Sequence, residues 1–191
     1  MSLMPCFKES EAFQEGVILG RLLAGYGEVE TSMLNCLVDV EGQFVTPIKE
    51  LFGVRSAERR ITIAGKLLTP ELTKAGLQTE LANVLDDMDW CRQIRNQYAH
   101  CTWYWTSHEG LCFVNLEELA GQGSFTSLFA NKQPIDVALL SAQEDFFNYV
   151  KESFFHLGSA YKDWDMKRVD SRRTVYVFPK PQLVSRPALH N

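Results

Sequence analysis

In residues 84–106, VLDDMDWCRQIRNQYAHCTWYWT, the spacing of the apolar residues changes part-way along. In its first part the apolar residues, Val84, Met88 and Cys91 among them, recur at every third or fourth position and share one face of a helix. The last six residues, CTWYWT, alternate with the period of two that is typical of a β-strand. The spacing predicts a core helix that ends near Ala99 and passes directly into a strand.

A second alternating segment follows this strand. The residues SHEG, 107–110, are typical of a turn, and LCFVNL, 111–116, alternates again. Two alternating segments joined by a short turn predict an antiparallel β-hairpin near residues 101–117. Residues 118–133 are predicted to form a loop. The segment TVYVF at 174–178 alternates like a short strand that is able to join the hairpin.

Helical spacing also covers the first quarter of the chain. Residues 10–26 and 28–41 are predicted to form two helices, separated at Gly25 and Gly27. Because their connection is short, we expect them to be antiparallel neighbours. A short helix is predicted over residues 46–51, with proline near its start.

Capping residues predict three further helix starts. Ser56 is expected to cap one helix. The pair Thr69–Pro70 is expected to begin the core helix, with threonine as N-cap and proline at the first helical position, and Gly76 is expected to weaken its first turns. Asp136 is expected to cap a last long helix that ends before Met166.

Together these elements predict a mainly α fold, an up-and-down helical bundle of about four to six helices with a small antiparallel β-hairpin after the core helix. We expect a helical domain over residues 1–165, which includes the hairpin. Residues 166–191 are expected to form a basic C-terminal arm. From Lys162 to the end, the chain carries seven Lys or Arg residues against three Asp. The prolines and the lack of periodicity near its end indicate an extended segment.

Composition limits the classes of function. Of the 191 residues, 46% are hydrophobic and 23% charged, which is ordinary for a globular protein. The formal net charge of -5 argues against broad, charge-driven binding of nucleic acid, which needs many basic residues to neutralise phosphates. A local basic patch remains compatible with this charge.

The cysteines and the apolar segments indicate a setting for the protein. Five cysteines without a C-x-x-C pair support neither a disulfide framework nor a zinc site, and we expect buried thiols in a reducing, cytoplasmic location. The first residues lack the basic start and unbroken apolar run of a signal peptide. No segment reaches the roughly 18 apolar residues of a membrane span. We expect no cofactor and no metal.

Arg95 stands out because a helical projection places it on the apolar face of the core helix. A buried, unpaired charge would cost several kcal/mol. Three outcomes are open: Arg95 pairs with a carboxylate such as Glu28 or Glu30, it lines a cleft, or this end of the helix faces another subunit.

Arg95 and His100 belong to the hexapeptide RNQYAH, residues 95–100, in which Asn96 directly follows the arginine. Its position at the end of a core helix, before an aromatic segment and a hairpin, resembles the R-x4-6-H signature of HEPN domains. The resemblance implies a helical bundle that dimerises with the motif helices facing each other. Many catalytic HEPN proteins are metal-independent ribonucleases with a composite site formed by both subunits. Others are RNA-binding or assembly modules.

The side-chain chemistry suits cleavage of RNA. A histidine side chain, whose ordinary pKa is near 6.5, is able to take the proton of a 2'-hydroxyl, and this is the role expected of His100. The guanidinium of Arg95 stabilises charge on the phosphoryl oxygens. Asn96 either holds a phosphate or orients the histidine. The product would be a 2',3'-cyclic phosphate. In a continuous helix His100 would project about 140° away from Arg95, so either the helix ends near Ala99 or a partner completes the site.

The resemblance therefore implies a homodimeric endoribonuclease of the toxin or phage-defence type, with RNA as substrate and with a cognate antitoxin or another protein as a further partner. The alternatives are a non-catalytic dimerisation or binding module and a plain helical domain. Two basic clusters are candidates for contacts with an RNA backbone. Their residues are Arg59, Arg60, Arg168, Arg172 and Arg173.

Overall fold

The structure, a computed structural model, describes residues 13–106, 108–121, 127 and 132–189. It confirms a mainly α fold with a small antiparallel sheet. The described helices are α1 (Phe13–Glu41), α2 (Val45–Phe52), α3 (Ala57–Lys74), α4 (Gln78–Ala99), α5 (Leu116–Gly121) and α6 (Val137–Val169). The described strands are β1 (Cys101–Thr106), β2 (Gly110–Asn115) and β3 (Gln133–Pro134). Residues 1–12, which include the start of the first predicted helix, lie outside the described residues.

The core lies between the two longest helices, α1 and α6, and is completed by α3 and α4. Burial of each large apolar side chain contributes roughly 1.5–3 kcal/mol, so this core is the main source of stability. Its fully buried members include Met33 and Leu37 of α1, Met88 and Ile94 of α4, and Phe146 and Phe154 of α6.

Helix α1 is continuous, and the prediction of two helices separated at Gly25 and Gly27 is wrong. A glycine inside a helix costs only about 1 kcal/mol relative to alanine, less than the burial of the apolar face on either side stabilises. At Gly25 a Cβ atom would lie 3.8 Å from Phe147 of α6, so the bare backbone sits at the α1–α6 contact. The first helix consequently packs along α6 instead of folding back on itself.

The start of the core helix is also corrected. Thr69–Pro70 lies inside α3, and the break comes at Gly76, whose φ is +75°. Gly76 and Leu77 donate backbone hydrogen bonds to Thr73 and Leu72, which is the Schellman arrangement that ends a helix at glycine. Pro70 is tolerated because the carbonyl that it leaves without an amide donor, that of Lys66, belongs to an exposed residue that water can reach. The core helix therefore starts at Gln78.

Two of the three predicted side-chain caps, those at Ser56 and Asp136, are confirmed. The Ser56 hydroxyl accepts from the Arg59 amide at 3.3 Å, and the Asp136 carboxylate accepts from the Ala138 amide at 2.9 Å. These bonds satisfy amide groups that would otherwise be unpaired in the first turn. The helix after Asp136 extends to Val169, so the predicted end before Met166 is wrong.

The hairpin is confirmed, with β1 and β2 antiparallel and Tyr104 opposite Cys112. The third strand of the sheet is β3, Gln133–Pro134, which pairs with β2. The segment 174–178 is irregular, so the prediction that it joins the sheet is wrong. Of the predicted loop 118–133, the first residues belong to α5, whereas 122–126 and 128–131 lie outside the described residues.

The C-terminal arm is irregular after Asp170, as predicted, but it is bound to the bundle. The Trp90 indole donates to the carbonyl of Pro187 at 3.0 Å, and Gln143 donates to the carbonyl of Ala188 at 2.8 Å. Trp90 lies on α4 and Gln143 on α6, so the arm is tied to both helices. None of the helices described by the structure is long and apolar enough to cross a membrane.

Candidate functional site

The motif straddles the junction between α4 and β1. The helix ends at Ala99, with His100 as the C-terminal flanking residue at φ -109° and ψ 16°. The buried side chains Ile94 and Tyr98 anchor this last part of the helix in the core. The prediction that the helix ends near Ala99 is confirmed.

Arg95 is half-buried and lines a cleft, which is one of the three outcomes left open above. Its Nη1 donates to Oδ1 of Asn96 at 3.0 Å. The two proposed acidic partners are bound elsewhere: Glu28 pairs with Lys151 at 2.7 Å and Glu30 with Arg60 at 2.5 Å. Arg95 therefore keeps most of its hydrogen-bond donors for the cleft.

The cleft has a volume of about 280 Å³ and lies where α1, the start of α3 and the end of α4 meet. Its lining includes two carboxylates, Glu30 and Glu58, and the N-terminal residues of α3. Four guanidinium groups also line it, those of Arg55, Arg60, Arg92 and Arg95. These side chains carry four positive and two negative charges, and Asp89, which is bound to Arg92, adds a third negative charge. A surplus of one positive charge remains, in a chain whose net charge is -5. The cleft is thus a local basic site in an acidic protein.

Two of these arginines are held by neighbouring groups. Arg60 bonds Glu30 and also donates to the carbonyls of Val54 and Arg55, each at 3.1 Å. Arg92 donates through Nε to Asp89 at 2.7 Å. This bond raises the pKa of Arg92, and it lowers the pKa of Asp89.

Arg55 and Arg95 differ from that pair. Among the described residues, no carboxylate forms an ion pair with either of them. The positive surplus of the cleft therefore rests with these two groups and with the remaining Nη donors of Arg92. A phosphate oxygen is the natural acceptor for such donors, since a guanidinium matches its geometry with two parallel bonds.

His100 does not line this cleft. Its side chain is about half exposed, and Nδ1 lies 3.9 Å from Oε1 of Glu117. Within one protomer the structure thus brings Arg95 and Asn96 together but leaves His100 outside.

The other arginines predicted to contact RNA are divided between the cleft and separate parts of the surface. Arg60 lines the cleft, whereas Arg59 is exposed on α3. Arg168 pairs with Asp165 at 2.8 Å, and Arg173 lies 3.6 Å from Asp170. Exposed pairs of this kind contribute little to stability, but they reduce the local positive charge. Arg172 is exposed next to them and does not line the cleft either.

The aspartates near the middle of α4 point to different partners. Asp86 and Asp87 bind Arg186 of the arm, and Asp89 binds Arg92. Asp87 is 8% exposed, and its helical position predicts a place away from the apolar face of α4 or on its margin. In the described part of the chain, no group of three or more His, Cys, Asp or Glu side chains is arranged to hold a metal ion.

Tyr26 and Arg92 also line the cleft, although neither of them is among the site residues predicted from the sequence. Tyr26 lies on α1, far along the chain from the motif, and its position between two glycines suggested a helix end. Arg92 is three residues before Arg95, which is one turn of α4, so helical spacing alone could have placed the two guanidinium groups on neighbouring positions.

No protein-family model, curated protein or solved structure matches the chain. The function is therefore inferred from the residues of the chain and their arrangement.

Proposed function

We propose that the protein is a metal-independent endoribonuclease of the HEPN type, with a toxin or phage-defence role, that acts as a homodimer. The observation that carries the proposal is the position of Arg95 and Asn96. Both line an arginine-rich cleft at the end of α4, next to His100, and Arg95 forms no ion pair with a described carboxylate. RNA supplies the anionic phosphate that such a cleft accepts.

The reaction assigns one task to each residue. His100 takes the proton of a ribose 2'-hydroxyl, and the 2'-oxygen attacks the adjacent phosphorus. Arg95 stabilises the negative charge that builds on the phosphoryl oxygens. The bond from phosphorus to the 5'-oxygen breaks, the leaving oxygen takes up a proton, and a 2',3'-cyclic phosphate remains. Asn96 holds the phosphate through its amide group or orients the histidine.

The proposal places two copies of the motif across a two-fold axis. Because His100 is exposed and outside the cleft of its own protomer, Arg95 of one protomer is completed by the partner subunit's His100. A two-fold arrangement then forms two equivalent sites. Local charge supports it, since the cleft is positive while the chain as a whole is acidic.

The first test is RNA cleavage by purified protein in the presence of a chelator. We expect wild-type protein to cleave RNA and to leave the same sequence intact when its riboses carry 2'-O-methyl groups. His100→Ala is expected to lose activity, whereas His108→Ala, a matched change at an exposed histidine in the hairpin turn, is expected to keep it. If wild-type dimer leaves several RNAs intact, the ribonuclease proposal is wrong.

The second test asks whether the site is shared between subunits. Arg95→Ala and His100→Ala proteins are each expected to be inactive. For this test, equal amounts of the two are unfolded together and refolded as a mixture. A shared site predicts recovery of about one quarter of wild-type activity, since about half of the dimers are mixed and each has one intact site of two. Recovery of no activity, with mixed dimers demonstrated by mass spectrometry, would show that Arg95 and His100 do not act across the dimer.

A second candidate is a non-catalytic binding or dimerisation module. The observation that favours it is the 3.9 Å approach of His100 Nδ1 to Glu117, outside the cleft. In that case RNA or a partner protein binds without being cleaved, and His100→Ala leaves the affinity unchanged.

A further inference from the structure

A buried hydroxyl in the cleft lacks a hydrogen-bond partner. Tyr26 is 5% exposed and lines the cleft, and its hydroxyl oxygen makes no hydrogen bond in the structure. A buried polar group left unpaired costs about 1–3 kcal/mol, and most such groups in folded proteins are paired. The hydroxyl is therefore available to a ligand that occupies the cleft.

The groups around Tyr26 indicate which charge on a ligand the cleft favours. Burial raises the pKa of Tyr26, and the nearby charge of Glu30 raises it further, so the phenol stays protonated and can donate. Arg92 and Arg60 lie close enough to act in the opposite direction on this pKa. A neutral donor next to guanidinium groups suits an anion.

The start of α3 adds a further attractive element. Ser56, Ala57 and Glu58 line the cleft, and the helix that they begin is 18 residues long. The amide groups of a first helical turn and the helix dipole both favour a negative charge at this end. The Ser56 hydroxyl already accepts from the Arg59 amide, so neighbouring first-turn amides are the ones left for a ligand.

Of the four arginines that line the cleft, Arg55 is exposed, Arg60 is structural, and Arg92 and Arg95 are able to bind a ligand. Arg60 has its bonds directed to Glu30 and to two backbone carbonyls, so it fixes the wall of the cleft. Arg92 uses Nε for Asp89, and Arg95 uses one Nη for Asn96, which leaves each with free donors. Two such groups offer the paired bonds that a phosphoryl group accepts.

We propose that this cleft binds a phosphate monoester as its dianion, with Arg92, Arg95 and the Tyr26 hydroxyl contacting the phosphoryl oxygens. Three donor groups, Arg92, Arg95 and the Tyr26 hydroxyl, match the three terminal oxygens of a phosphate monoester, whereas a phosphodiester offers two. The volume of about 280 Å³ admits a phosphoryl group with a small attached group, at the lower end of the range for small-molecule sites.

The monoester belongs either to the phosphorylated end of an RNA strand or to a free small molecule. The binding itself does not depend on RNA cleavage. Only the placement of an RNA end in the cleft rests on the proposed function. His100 lies outside the cleft, so His100→Ala protein separates the two proposals: it tests binding in a chain that the proposed mechanism makes inactive.

Binding is measured by calorimetry at pH 7.5 and constant ionic strength, with phenyl phosphate as the monoester and diphenyl phosphate as the monoanionic diester. We expect phenyl phosphate to bind more tightly than the diester. Tyr26→Phe, which keeps the ring, is expected to weaken phenyl phosphate binding about tenfold. Tyr176→Phe is the matched control at an exposed tyrosine of the arm and is expected to change nothing.

Two charge variants give effects of opposite sign. Arg92→Gln is expected to weaken binding, whereas Glu58→Gln removes a repelling carboxylate from the cleft and is expected to tighten it. Because Glu58→Gln is expected to bind phenyl phosphate more tightly, partial unfolding of this variant would not produce the expected result. Arg168→Gln, on α6, is the control for a general change of charge.

The proposal is overturned if phenyl phosphate does not bind, if the diester binds equally well, or if Tyr26→Phe matches Tyr176→Phe. A last comparison uses 2'-O-methyl RNA with and without a 5'-phosphate. Tighter binding of the phosphorylated strand than of phenyl phosphate assigns the site to an RNA end. Equal binding of the phosphorylated strand and phenyl phosphate assigns it to a free monoester.

Discussion

Gln143 joins the motif helix to the C-terminal arm through three hydrogen bonds, and its replacement is the most informative stability experiment. The side chain is 0% exposed. Its Oε1 accepts from the Tyr98 hydroxyl at 2.8 Å, and its Nε2 donates to the carbonyls of Ala188 at 2.8 Å and Leu189 at 3.1 Å. One amide therefore connects a residue of RNQYAH with the end of the arm.

Gln143→Leu keeps a similar volume and removes all three bonds. Tyr98 is 1% exposed, so its hydroxyl loses its acceptor in a place that water does not reach, at a cost of about 1–3 kcal/mol. Ala188 is exposed and Leu189 partly so, and their carbonyls can bond water instead, at a cost of roughly 0.5 kcal/mol each. Burial of the more apolar leucine offsets about 1 kcal/mol. We expect a net loss of about 2 kcal/mol and a fall in Tm of about 4–8 °C.

The assay is urea unfolding followed by circular dichroism, for Gln143→Leu, Tyr98→Phe and the double variant. Removing the Tyr98 hydroxyl removes the unpaired donor, so the double variant is expected to be no less stable than Gln143→Leu alone. The expected coupling free energy is about 1–2 kcal/mol. Strictly additive losses of stability would contradict this prediction, because they would mean that the hydrogen bond between Tyr98 and Gln143 does not contribute to the free energy of unfolding.

The remaining predictions concern glycines and buried acids. Gly27→Ala in α1, where a Cβ atom would meet nothing within 4 Å, is expected to raise Tm by about 2–4 °C. Gly76→Ala is expected to lower Tm, because the φ of Gly76 is +75°. Thermal unfolding measures both changes. Burial raises the pKa of the thiols of Cys36 and Cys91, so iodoacetamide is expected to modify them slowly in folded protein and rapidly in urea; rapid labelling of folded protein would contradict their burial. Burial also raises the pKa of Tyr98 to about 12 from 10.0. As the pH rises, the phenol therefore loses its proton in the unfolded chain before it does so in the folded chain. The free energy of unfolding is expected to fall between about pH 10 and 12. A stability that stays constant across that interval, measured by urea unfolding, would contradict this.

The helix–strand junction shows how far a local pattern reaches. The change of spacing after Ala99 predicts both the end of α4 and the hairpin, and the structure confirms both. The caps at Ser56 and Asp136 were predictable for the same reason. Each depends on a few consecutive residues whose backbone angles and hydrogen bonds follow from their own side chains.

The errors have a different origin. At Gly25 and at Pro70 the local preference is to end or start a helix, yet both residues lie inside helices. Local penalties of about 1–3 kcal/mol are outweighed where a long helix buries a continuous apolar face against α6 or α4. The third strand was misplaced because strand pairing joins residues that no local pattern relates.

The candidate site divides in the same way. The sequence identified Arg95, Asn96 and His100 as a motif, and the helical projection left three environments open for Arg95. A projection shows which face a residue occupies but not which element packs opposite it. The structure places Arg95 in a cleft with Tyr26 and Arg60, and it places His100 outside.

The sequence was sufficient to predict the class of the fold, the place where the core helix becomes a strand and the candidate residues of the motif, because these depend on spacing and residue type over one or two turns. The packing of distant elements was needed to show that α1 is one helix, that the arm is tied to α4 and α6, and that Tyr26 and Arg92 share a cleft with Arg95. These features depend on which distant surfaces bury each other, a choice made by the packing of the whole core.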